Sequence, residues 1–170
     1  MIYPIVNYGH PALEAGTTPV TEFDDALRAL VDDMFETMYD AEGVGLAAPQ
    51  IGIGKRLAVI DVGWDEDQSE RIVLANPTIV AREGEQGGPE GCLSVPVLRE
   101  PLRRAQKVTV RAQDAAGAWF ERTGEGLLAR AFEHEIDHLH GKLFFMRLRP
   151  LAHKMALGKI DKLRREGRWK

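Results

Sequence analysis

Residues 134–138 read HEIDH, and residues 90–94 read EGCLS around Cys92, the only cysteine of the chain. These two short stretches supply the residue types of a one-metal hydrolytic centre. On a helix, residues four apart project about 40° from one another, so His134 and His138 can turn neutral imidazoles towards one ion. Glu135 projects about 100° further round. It can reach a water at an open coordination position without filling that position, which suits a general base. Leu127 and Ala131 continue the stripe on which His134 and His138 lie, so the helix aims both imidazoles where it aims its core-facing side chains. Inward-facing histidines need a partner, and a metal is the natural one. A single HExxH match also arises by chance, and on the motif alone a surface or core role for the histidines stays open.

A catalytic centre of this kind needs a third protein ligand and leaves one position to water. Where some zinc peptidases carry a later histidine, this chain has Phe144. The one later glutamate, Glu166, sits in a Lys/Arg-rich terminal segment that reads as a solvated helix. Cys92 remains, a soft thiolate donor expected in a loop between Gly91 and Leu93. The competing reading of a lone cysteine is a small buried hydrophobe.

Three helices and a group of strands must position these residues. Thr21 and Asp24 resemble a capping box, and Phe23, Leu27, Leu30, Met34 and Met38 keep helical spacing until Gly43 ends the run. The second helix is expected from near Thr123 or Gly124 to about His140, with Gly141 as its stop. A third spans residues 151–166, with Leu151, Met155, Ile160 and Leu163 as its apolar side. Strand character falls on residues 56–62, 71–74, 78–82, 107–112 and 119–122, and residues 115–117 read as a hairpin turn. Strands in the middle and helices at the ends predict an α+β fold, with antiparallel sheets around a central metal-binding helix. The Gly/Glu-rich stretch 83–88 is expected to be a mobile loop.

With 170 residues, one domain spanning residues 1–170 with a sizeable core is expected. A net charge of −4 offers no general footprint for DNA. One cysteine cannot close an internal disulfide, which fits a reducing compartment. The start MIYPIVNYG lacks a basic leader, and no apolar run approaches a membrane span, so the chain reads as cytoplasmic.

In residues 43–50, GVGLAAPQ, Gly43 and Gly45 let backbone approach a ligand closely and Pro49 stiffens the exit, although composition alone also allows an ordinary helix-ending turn. GVGLAAPQ, EGCLS and HEIDH, in this order and at these separations, resemble the three signature motifs of the peptide deformylases. The similarity runs from the HPALEAG start to the basic terminal helix. The resemblance implies a metallohydrolase that removes the formyl group from the N-terminal formyl-methionine of nascent polypeptides and releases formate. It implies Cys92, His134 and His138 as ligands to one divalent ion, ferrous iron in the cell, replaceable by zinc, nickel or cobalt. Glu135 becomes the proton carrier, and the Gln50 amide and the Leu93 backbone N–H face the developing oxyanion. Backbone at Val44, Gly45 and Gly91 would hold an extended peptide. By position, Val44, Arg130 and Ala131 are candidates for the methionine pocket, with plain packing as the equal alternative.

Other expectations are finer. Glu42 is expected to pair with Arg104, bracing the first loop, and the basic stretch 154–170 could touch the ribosome, a solvated helix being the simpler reading. Glu133, His140, Met146, Pro89 and Val97 depart from the usual family pattern, and Glu133 is expected to have a tuning effect at most. Two other classes remain on the residues alone, an HExxH metallopeptidase and a non-catalytic metal module. The third ligand and formate release separate them from the deformylase.

Overall fold

The computed structural model describes residues 1–169. The chain forms an α+β fold whose elements, in order, are α1 (Asp25–Asp40), β1 (Gly45–Ala47), β2 (Leu57–Ile60), β3 (Ile72–Glu83), β4 (Pro89–Cys92), β5 (Val95–Pro101), β6 (Lys107–Gln113), β7 (Trp119–Glu125), α2 (Leu127–Leu139) and α3 (Pro150–Arg165), linked in places by short 3-10 turns. An antiparallel five-stranded sheet has the order β1-β2-β3-β6-β7, and β4 and β5 form a separate two-stranded sheet.

The period of two along each strand puts alternate side chains on opposite faces, and the large sheet is covered on both. Ala58 and Ile60 of β2 join Leu74, Val108 and Val110 under Phe132, Ile136 and Leu139 of α2. Leu57 and Val59 face the other way, into a cluster with Val31, Met34, Phe35 and Met38 of α1. The four residues of β2 are therefore fully buried, and a continuous apolar run is the pattern of a strand buried on both sides. A third cluster joins Val95 and Leu98 of β5 to Leu143, Phe144 and Phe145 and to Ala156 and Ile160 of α3.

Several boundaries differ from the sequence reading, each for a local reason. Asp24 alone caps α1, its carboxylate accepting from Leu27 N–H at 2.9 Å, so Thr21 and Phe23 lie outside the helix. Helix α2 begins at Leu127, because β7 continues through Gly124, which pairs with Val108, as far as Glu125; Gly126, at φ +60°, makes the turn. The separate strands expected at 71–74 and 78–82 are one strand, β3, with register shifts between Ala75 and Thr78 and between Ile79 and Ala81. Pro77 cannot donate to a ladder, and a bulge is where a strand admits it. In α3 the buried residues are Ala156, Ile160 and Leu163, whereas Leu151 and Met155 are exposed. The stretch 83–88 is pinned at Gln86, whose backbone exchanges hydrogen bonds with Arg104 and whose amide donates to the Ala105 and Gly126 carbonyls. The turn at 115–117 is present, closed by Gly117 N–H to the Asp114 carbonyl at 3.0 Å.

Candidate metal centre

Helix α2 lies against the large sheet, and the β4–β5 hairpin faces its middle turns. Cys92 is the last residue of β4, where the register shifts between Gly91 and Cys92, and not a loop residue as expected. It is half-buried. His134 and His138 are buried on α2, and Ala131 continues their stripe inward; Leu127, one turn earlier, is half exposed at the cavity lip.

Three donor atoms converge. The His138 Nε2 lies 3.3 Å from Cys92 Sγ and 3.2 Å from His134 Nε2, and all three lie within 4.8 Å of one another. Ligands held at ordinary zinc bond lengths in a tetrahedron would be about 3.3–3.6 Å apart, so this cradle is of the size for one ion. The donor set, one thiolate and two imidazoles, suits zinc or ferrous iron. Phe144, which occupies the position of the absent third histidine, stacks on the His134 ring at 6.3 Å.

Behind His134 is a buried charge network that the sequence reading missed. Glu90 accepts four hydrogen bonds: from Arg104 Nε at 3.0 Å and Nη2 at 2.7 Å, from Arg130 Nη1 at 2.8 Å, and from His134 Nδ1 at 2.7 Å. Arg104 continues to Asp137 at 2.9 Å, which in turn holds Arg147. With Nδ1 committed to Glu90, His134 presents Nε2 to the cradle. Burial works against ionising Glu90, but the His134 and Arg104 hydrogen bonds outweigh it and hold the carboxyl far below its usual range. The sequence carried no clear signal for the network, because β4 is short and its register shifts between Gly91 and Cys92.

This network overturns the expected Glu42–Arg104 pair. The Arg104 guanidinium is 3 % exposed and bound to Glu90 and Asp137, with Glu133 at 3.7 Å, and it does not brace the first loop. Glu133 also accepts from the Ala105 N–H at 3.3 Å. Arg130 lines the cavity, but its guanidinium is committed to Glu90 and to the Gly87 carbonyl at 3.0 Å.

Glu135 is buried, and its Oε1, like His138 Nδ1, has no hydrogen-bond partner among the described residues. Burial pushes its pKa up to about 7; the Glu90 charge adds to the rise and the charge on His134 opposes it. A carboxyl poised near neutrality can both take and return a proton. Gln50 is oriented by its own turn: its Oε1 accepts from Ala47 N–H at 2.9 Å, so its Nε2 points to Ser94 Oγ at 3.2 Å and Cys92 Sγ at 3.5 Å. Gly43, Val44, Gly45, Gln50, Leu93 and Glu135 share one cavity of about 480 Å³ with Gly91, Cys92, Ala131 and His134. At both glycines a side chain would crowd a neighbour that lines the cavity. A Cβ at Gly45 would lie 2.5 Å from Glu135 Oε2, and one at Gly43 would lie 2.7 Å from Leu93 Cδ1.

The polypeptide deformylase family model matches residues 2–154. The chain is 59 % identical to a peptide deformylase of Acidobacterium capsulatum, over 99 % of each chain, and 46 % identical to one from Alkalilimnicola ehrlichii, over 98 % of this chain and 93 % of the other. The crystal structure of a peptide deformylase from Legionella pneumophila superposes with a TM-score of 0.90 at 50 % identity, covering 100 % of this chain and 99 % of that one. A peptide deformylase from Synechococcus elongatus, solved in complex with actinonin, gives 0.86 at 39 % identity, covering 92 % of this chain and 86 % of that one. A donor cradle, a buried carboxyl and a glycine-lined cleft thus stand in a chain alike along nearly its whole length to these proteins, and it belongs to the polypeptide deformylase family.

Proposed function

We propose that Cys92, His134 and His138 hold one divalent metal and that Glu135, Gln50 and Leu93 carry the family's reaction: removal of the formyl group from the N-terminal formyl-methionine of a nascent peptide. The observation that carries the assignment is the convergence of one sulfur and two ring nitrogens beside a buried carboxyl oxygen that has no hydrogen-bond partner among the described residues. When bound, the ion would supply Lewis acidity, acidifying water and polarising the formyl oxygen.

Glu135 takes a proton from the attacking water as its oxygen bonds to the formyl carbon. The Gln50 Nε2–H and the Leu93 backbone N–H stabilise the oxyanion that develops. Glu135 then passes the proton to the departing nitrogen as the C–N bond breaks, leaving formate and a free amine. The fixed Gln50 amide supports its part, because a donor already aimed does not have to reorganise during the reaction.

The peptide lies along β1. This strand is an edge of the large sheet, and Val44 and Asp61 form a hydrogen-bonded pair through Asp61 N–H to the Val44 carbonyl at 2.9 Å. Gly45, in register with Ile60, is then a non-hydrogen-bonded pair whose N–H and C=O turn away from β2. They are free to pair with an extended chain. Gly91 offers backbone from the opposite wall, and Ala131 with Arg130 lines the space for the methionine side chain.

Ferrous iron is the resident ion in this reading, with zinc, nickel or cobalt as replacements. An iron-loaded preparation made without oxygen should be more active than one purified in air, since Cys92 is then spared oxidation; equal rates would argue against iron. The cytoplasm, where nascent formylated peptides are found, is the proposed compartment. No helix among the described residues is long and apolar enough to cross a membrane. The basic side of α3, including Lys154 and Lys162, is the surface through which a transient ribosome contact would form. The test is formate release from formyl-Met-Ala-Ser. Glu135→Ala should lose turnover by about 10²- to 10⁴-fold while keeping its metal, and a variant that retains activity would reject the base assignment.

A further inference from the structure

We propose that Trp64 is a positioning residue for the peptide: its indole N–H fixes the Gly43 carbonyl and thereby sets the course of the 43–45 backbone along which the substrate lies. This rests on the reading of that segment as the peptide-binding edge.

Two glycines in three residues leave a segment with wide conformational freedom, yet productive geometry requires its backbone groups to be held in place. The segment is gripped from the side opposite the cavity. Gly43 N–H donates to the Met38 carbonyl at the end of α1 at 2.9 Å, Trp64 Nε1–H donates to the Gly43 carbonyl at 2.9 Å, and Asp61 N–H donates to the Val44 carbonyl at 2.9 Å. Both carbonyls that precede Gly45 are thus claimed from behind. Gly45, whose neighbour is Glu135, is left lining the cleft, with its N–H and C=O turned away from β2.

Trp64 is itself well placed to act as a fixed donor. It opens a 3-10 turn, Trp64–Glu66, whose loop is closed by Gln68 N–H to the Gly63 carbonyl at 2.9 Å. That closure is tight: a Cβ at Gly63 would lie 2.5 Å from the Gln68 carbonyl oxygen. The indole meets the Tyr39 ring edge-on at 5.3 Å, and Tyr39 stacks on Phe35 at 6.0 Å. The Tyr39 hydroxyl donates to Asp61 Oδ2 at 2.6 Å, and that carboxylate also accepts from Ser69 Oγ at 2.6 Å and Glu70 N–H at 3.0 Å. An indole can only donate, so its bond to a carbonyl has a single sense. Trp64 does not line the cavity, and its effect must pass through Gly43.

The test compares formyl-Met-Ala-Ser, which can lie along β1, with formyl-Met, which has no following peptide unit. Trp64→Phe keeps an aromatic ring against Tyr39 and removes the donor. The ratio of kcat/KM for the tripeptide to that for formyl-Met should fall about 2- to 12-fold, the range for one neutral hydrogen bond, and the Kd of the product Met-Ala-Ser should rise by a similar factor. Trp119→Phe, on the exposed end of β7, should leave the ratio unchanged. In the unsubstituted protein labelled with ¹⁵N, the Trp64 indole resonance should shift as Met-Ala-Ser is added while those of Trp119 and Trp169 stay in place, a readout that needs no variant to fold. An unchanged ratio in folded Trp64→Phe, or an indole resonance that ignores the peptide, would overturn the proposal. Absence of formate release from both substrates by the unsubstituted protein would instead overturn the assigned reaction, and peptide binding would still decide the part of Trp64.

Discussion

Replacing Glu90 with Gln isolates the charge network behind His134 with almost no change in volume. Each Glu90 oxygen accepts two N–H groups, Oε1 from Arg104 Nε and Arg130 Nη1, and Oε2 from Arg104 Nη2 and His134 Nδ1. Whichever oxygen becomes an amide NH₂, two donors then face a donor, in a side chain that is 4 % exposed. Two buried guanidiniums also lose their shared counter-charge. Breaking one partner of a buried pair typically costs about 3–5 kcal/mol, so a loss of about 4 kcal/mol is expected. That is a large part of the about 5–15 kcal/mol by which a protein is stable. At about 2–4 °C per kcal/mol for a chain of this size, Tm should fall by roughly 8–16 °C. Freed from Glu90, His134 loses the contact that fixes its ring and tautomer, and metal affinity should drop about 10- to 100-fold. Thermal melts followed by circular dichroism, with chelator competition for the bound metal, measure both. Glu133→Gln is the comparison, since its ion pairs with Arg104 at 3.7 Å and with Arg82 at 3.6 Å are longer, and it should cost less than Glu90→Gln. If Glu90→Gln melted within 3 °C or so of the parent with unchanged metal affinity, the network would not hold His134 as described.

Gly45→Ala should displace the Glu135 carboxylate, because the added Cβ would lie 2.5 Å from Oε2; kcat should fall on the order of 100-fold, and full activity would show that the loop yields instead. Cys92→Ala should lose the metal, measured by elemental analysis after dialysis, whereas stoichiometric retention would remove the sulfur from the ligand set. Burial favours the neutral form of Asp61, but hydrogen bonds from Ser69, Tyr39 and backbone amides prevail and lower its pKa. Its contribution is therefore complete above the unfolded value of about 3.9 and is lost as pH falls through the folded value. In acid titrations followed by fluorescence, the parent should lose more stability than Asp61→Asn below about pH 4, and parallel curves would contradict the shift.

The residues that carry the proposed chemistry were legible in the sequence. His134, Glu135 and His138 follow from helical spacing, Cys92 was left by elimination as a candidate that only the resemblance turned into a ligand, and Gln50 and the glycines come from the same resemblance, carried by three ordered motifs. These are local properties, because side-chain type and the periods of 3.6 and 2 are written along the chain. The α+β grouping was legible for the same reason, although β1, β4 and β5 were not: they are short or rich in Gly and Pro, and their strand character comes from pairing and not from propensity. Only the tertiary structure decided who partners whom. The pairing of Arg104 with Glu90 and Asp137, and not with Glu42, depends on β4 and α2 meeting although Glu90 and His134 are 44 positions apart in the chain. The commitment of the Arg130 guanidinium to Glu90 and Gly87 and the hydrogen bond from Trp64 to Gly43 arise the same way. A buried charge or donor must find a partner wherever packing places one, and that place is a property of the folded whole.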